Sequence, residues 1–99
     1  MDQSYQEVSR VILEELIKNP VDFKKENNQT YFYNLKLENP KKYERLFFDT
    51  NGHEPFSEDL SSIFMDFKIC GFLDFDNKII PQGKERIINY LKEHKIAIQ

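Results

Sequence analysis

Residues 55–91 read PFSEDLSSIFMDFKICGFLDFDNKIIPQGKERIINYL, and the fold turns on how this stretch is parsed. Ser57 precedes Glu58 and Asp59. A hydroxyl there accepts an otherwise orphaned backbone N–H, and carboxylates in the first turn favour the positive end of the helix dipole. Leu60, Ile63, Phe64, Phe67 and Cys70 then fall on one stripe of a 3.6-residue period, which predicts a helix closed by Gly71 in the left-handed C′ position. Cys70, on that stripe, reads as a small core residue rather than a nucleophile. Phe72, Leu73 and Phe75 are strand formers, Asp76-Asn77 is a tight turn, and Lys78-Ile79-Ile80 returns. Pro81 has no N–H to donate and ends the ladder. Ile87, Ile88 and Leu91 mark the inner face of a last helix.

Working outward toward the N-terminus, Ser4 and Glu7 make an S-x-x-E capping box for a helix reaching about Lys18. Tyr5, Val8, Ile12 and Leu16 form its apolar row, widened by Val11, Leu13 and Ile17. Asn19-Pro20 stops it, and the polar VDFKKENNQ reads as loop. In TYFYNLKL, Tyr31, Tyr33, Leu35 and Leu37 alternate with other residues, which predicts a strand over 29–37, a helix being the competing reading. KKYERLFF, after Asn39-Pro40, predicts a short helix with Tyr43, Leu46 and Phe47 inward. DTNGHEP is a loop.

The segment LSSIFMDFKICGFL resembles the third helix and following strand of winged helix-turn-helix domains, with apolar residues eleven, eight, seven and four positions before a glycine. IIPQGKERIINYL is similar to the end of a wing and the opening of the next helix, although Pro81-Gln82 stands where such domains commonly carry a threonine. The resemblance spans residues 57–91. It implies one α+β, mostly helical, winged-helix-like domain over residues 1–99, with about four helices and a small two- or three-stranded antiparallel sheet in which residues 29–37 pair with the wing.

Ninety-nine residues suit one core, and 39% hydrophobic with 31% charged residues is the composition of a soluble globular domain. No apolar run has the length of a membrane span, and MDQSYQEVSR lacks the features of a signal peptide. A single cysteine excludes an internal disulfide and agrees with a reducing cytoplasm. No cofactor is expected. With two histidines, one cysteine and no HExxH or CxxC, a structural zinc site has no ligand set. Around Asp49 the glycine sits at position four and a leucine at position twelve, so an EF-hand fails. Asp49, His53 and Glu54 are the one acid–histidine grouping on which an enzyme could be built, and a capped turn is the commoner use of such a loop. A non-catalytic protein is expected.

Charge is unevenly spread within the net −3. Residues 57–76 carry Glu58, Asp59, Asp66, Asp74 and Asp76 against Lys68 alone, a balance of −4, whereas 77–99 balance at +3. A helix that reads the major groove should offer basic and amide side chains to bases and phosphates; this one offers carboxylates. The expected role is therefore an acidic protein-interaction module, an adaptor or inhibitor, with Glu58, Asp59, Ser62, Met65, Asp66, Ile69, Phe72, Asp74 and Asp76 meeting a protein partner that has a basic rim. That partner could itself be a nucleic-acid-binding protein or enzyme. The competing, disfavoured reading is a DNA-binding transcriptional regulator, dimeric through its long first and last helices.

Overall fold

A computed structural model describes residues 3–93 of the chain. The expected extension of the last helix to Lys95, His94 and the apolar tail at 96–99 lie outside the described residues. The described residues form four α-helices: α1 (Tyr5–Lys18), α2 (Asn28–Glu38), α3 (Glu58–Ile69) and α4 (Lys84–Glu93), the last entered through a 3-10 turn at Pro81–Gly83.

The capping box opens α1 as the sequence requires. Glu7 donates its backbone N–H to Ser4 Oγ at 3.1 Å, and Ser4 donates to Glu7 Oε1 at 3.0 Å. The backbone hydrogen bond from Ser4 is the main reason the Glu7 carboxyl lies below its ordinary pKa. Val8, Ile12, Leu13 and Leu16 are buried, with Tyr5, Val11 and Ile17 packed at the margin.

Residues 29–37 are helical, and the expected strand is overturned. Asn27 caps α2, its side chain accepting from the N–H groups of Gln29 at 2.8 Å and Thr30 at 3.2 Å. A strand with Tyr31, Tyr33, Leu35 and Leu37 inward would turn Phe32 to solvent. Instead Phe32 is fully buried and Leu37 is exposed. Gln29 and Phe32, three residues apart on a helix, share the inner face. The alternation was a coincidence of composition; the cap lay in a segment read as loop.

This removes the expected partner strand, and the wing is correspondingly reduced. Among the described residues there is no β-strand, only two isolated antiparallel bridges, Asp49–Phe56 and Leu73–Ile79. The second is made by Asp74 N–H to Lys78 O (2.9 Å) and Ile80 N–H to Phe72 O (3.0 Å) and goes no further. Asp74 Oδ1 takes the N–H groups of Asp76 (2.8 Å) and Lys78 (3.0 Å) at the turn, and Pro81 offers no donor at the other end. The winged-helix-like α+β class with its small sheet is thus replaced by an all-helical arrangement joined by ordered turns.

The end of α3 sets the approach of α4. Gly71, at φ +80°, donates to Lys68 O (3.1 Å), and Phe72 donates to Phe67 O (2.9 Å). That is the Schellman pattern, completed by the Phe67 and Phe72 rings at 6.2 Å. Phe72 thereby covers the surface that Cys70 was expected to cover, and Cys70 is exposed, a second correction. A Cβ on Gly83 would stand 2.8 Å from Gly71 O. Only a residue without one lets the two backbones meet, and Ile87 and Leu91 of α4 then reach the core.

The segment after Asn39-Pro40 forms successive i→i+3 turns rather than the expected helix. Side chains from elsewhere hold its backbone: Gln3 donates to Lys42 O (2.7 Å) and accepts from Arg45 N–H (2.9 Å), while Lys36 Nζ donates to Leu46 O. Without helical period the inward set shifts. Tyr43, Leu46 and Phe48 are buried, and Phe47, expected inside, is 77% exposed. The core is strongly aromatic: Phe32 meets Tyr31, Tyr43 and Phe64 edge-on at 5.2–6.0 Å, and Phe23 bridges Tyr31 and Phe64 from the loop after α1.

Candidate protein-docking face

Burying Leu60, Ile63, Phe64 and Phe67 turns the opposite side of α3 outward. Glu58, Ser62, Met65 and Ile69, spaced by four, three and four, form one exposed row on it. Met65 is 54% and Ile69 76% exposed, and Phe75, on the turn beyond the helix, is 97% exposed.

The other expected contact residues are disposed differently. Phe72 is buried at the Schellman turn, only 6% exposed. Asp74 spends Oδ1 on its own turn. Asp59 is half-buried and pairs with Arg45 Nε at 3.0 Å; Asp76 pairs with Lys24 Nζ at 3.3 Å. Asp66 accepts the Tyr5 hydroxyl at 2.8 Å, and burial, with this carboxylate second, pushes the Tyr5 phenol up to about 12. The acidic surplus counted along the chain is therefore partly neutralised in space. Glu58 stays at the head of the apolar row with no ion pair among the described residues.

Beside Glu58 lies a feature that sequence reasoning missed. Phe47, Asp49, Phe56, Ser57, Glu58 and Asp59 line a hollow of about 380 Å³. Phe47 and Phe56 both project toward solvent, and three carboxylates surround them. The Asp49–Phe56 bridge, with hydrogen bonds of 2.7 and 3.0 Å, draws the two sides together across the 50–55 loop. No local signal could have shown this, because Phe47 faces out only once the preceding segment fails to be a helix. Aromatic faces and carboxylates both attract guanidinium and ammonium groups.

Within the acid–histidine loop, Asp49 Oδ1 accepts from Asn51 N–H (2.9 Å) and Glu54 Oε2 from Asn27 Nδ2 (3.5 Å), with His53 exposed. Among the described residues no three His, Cys, Asp or Glu side chains are grouped to hold a metal ion, and no helix is long and apolar enough to cross a membrane. Several basic side chains are engaged within the chain. Arg45 is held by Asp59 and lies over the Tyr5 ring (5.9 Å), Lys24 by Asp76, and Arg86 donates to Cys70 O (3.3 Å). No family model matches the chain, and neither a curated protein nor a solved structure matches it.

Proposed function

We propose that the protein is a non-catalytic interaction module of the cytoplasm, an adaptor or inhibitor, that docks another protein on the outer face of α3. The observation that carries this is the exposed Met65–Ile69 pair, one helical turn apart and continuous through Glu58 with the Phe47–Phe56 hollow. Methionine and aromatic side chains are enriched in protein interfaces, and clustered exposure of this kind marks interaction surfaces more often than it serves folding. The carboxylates beside it select a partner whose rim is basic. A polyanion is disfavoured, because this face carries carboxylates and several basic side chains are already engaged within the chain.

A photo-crosslinker placed at Met65, with a second at Lys92 as control, tests the reading in extract of the native host. The Met65 probe should capture a discrete protein that the Lys92 probe does not, and Ile69→Arg in the probed chain should abolish capture. Both helix positions are exposed, so Met65→Arg with Ile69→Arg should change stability by no more than about 0.5 kcal/mol per site. Capture unaffected by Ile69→Arg would sink the reading. So would firm retention on heparin released by moderate salt, which is the behaviour of a DNA-binding regulator.

A further inference from the structure

On another part of the molecule, the end of α1 and the loop after it face the turn before α4 across an apolar cleft of about 530 Å³. Leu16, Ile17, Val21 and Phe23 line one side, and Ile79 with Pro81 the other. The volume lies within the range of small-molecule sites, which pair apolar walls with a few polar groups at the mouth. Here those groups are two lysines, Asn77 and Asp22. Lys78 and Lys84 both line the cleft, and neither forms an ion pair among the described residues. The acid beside them, Asp22, is turned onto its own backbone, accepting from Lys24 N–H at 3.0 Å. The cleft therefore joins an apolar interior to a net positive rim.

We propose that this cleft binds a small amphipathic carboxylate, its apolar body between Val21, Phe23 and Ile79 and its carboxylate between the Lys78 and Lys84 ammonium groups. A hydrocarbon alone would forfeit the rim, and a cationic amphiphile would be repelled by it. An acid with an apolar body meets both. The cleft is separate from the α3 face and needs no partner docked there.

Dodecanoate, kept below its micelle-forming concentration, is the probe, with dodecyltrimethylammonium as the charge-reversed control and acetate as the head group without a body. Calorimetry with the whole chain should give saturable one-to-one binding of dodecanoate, at least about tenfold tighter than the cationic amphiphile, and none of acetate. Amide NMR shifts should centre on Val21, Phe23, Lys78, Ile79 and Lys84 and leave Met65 and Ile69 unmoved. Lys78→Gln with Lys84→Gln changes only exposed side chains and should weaken dodecanoate about tenfold, while Lys78→Arg with Lys84→Arg retains it. Equal affinity for both amphiphiles, no saturation, shifts centred on α3, or an unaffected double glutamine variant would each overturn the assignment.

Discussion

Gln29→Ala should be among the most damaging single changes to a polar side chain in this protein. The Gln29 amide bridges α2 to the N-cap of α3 with two opposed hydrogen bonds: Nε2 donates to Ser57 O at 3.1 Å, and Oε1 accepts from Ser57 N–H at 2.8 Å. Ser57 is fully buried, and Gln29 is only 9% exposed. Truncation leaves the Ser57 N–H without a partner, at about 1–3 kcal/mol. It also removes one of two bonds to Ser57 O, which still accepts from Ser61 N–H at 3.1 Å, at about 0.5–1.5 kcal/mol. Freed side-chain entropy of about 1 kcal/mol offsets this, for a net loss of about 0.5–3.5 kcal/mol. Urea unfolding followed by circular dichroism should show a midpoint lowered by about 0.3–3.5 M, taking a slope of about 1–1.5 kcal/mol per M. Gln29→Glu sharpens the test. Its ionised carboxylate can accept from Ser57 N–H but sets oxygen against Ser57 O, so the folded state favours the protonated acid and the pKa of Glu there rises. The deficit relative to the parent should vanish below the unfolded carboxyl value of about 4.3 and grow as pH climbs through the higher folded value. A loss under about 0.5 kcal/mol for Gln29→Ala, or a Gln29→Glu deficit that is flat with pH, would refute the reasoning.

Gly83→Ala should cost about 1–3 kcal/mol in the same assay, because its Cβ would press on Gly71 O at 2.8 Å, whereas Gly52→Ala, with open space around it, should be nearly silent. The buried Tyr43 hydroxyl has no hydrogen-bond partner among the described residues. Tyr43→Phe should therefore be neutral or stabilising by up to about 1 kcal/mol, and a clear loss in thermal unfolding would show that the hydroxyl is satisfied. Burial raises the phenols of Tyr5, Tyr31 and Tyr43, with Asp66 assisting at Tyr5 and Glu15 at the other two. Stability linked to these groups is whole below the unfolded tyrosine value of about 10 and is lost as pH rises through the folded values. Alkaline unfolding monitored by tyrosinate absorbance should accordingly begin above that pH, and Tyr5→Phe should remove the part that runs to about 12.

Ser4 with Glu7, Ser57 with its acidic first turn, and Gly71 were legible as helix ends because capping is settled by atoms within a few residues of one another. The apolar rows of α1, α3 and α4 were legible for a related reason, since each has a single buried side and the helical period reports it directly. The α3 row Glu58, Ser62, Met65 and Ile69 could be placed outward on the same ground. Asn27, by contrast, is not legible as a cap because Asn27-Asn28-Gln29 has the composition of a loop, and four apolar residues in alternation imitate a strand. Distinguishing those states needed Phe32 to be seen among Tyr43 and Phe64, residues that only the folded chain brings to it. Phe47 pointing outward, Cys70 displaced by Phe72, and Asp59 and Asp76 neutralised by Arg45 and Lys24 likewise depend on neighbours between 2 and 52 positions away. Local chemistry along the chain determined where most helices begin, end and turn their apolar sides; tertiary packing decided which side chains and charges were left for a partner, because burial and ion pairing belong to pairs of residues rather than to any one of them.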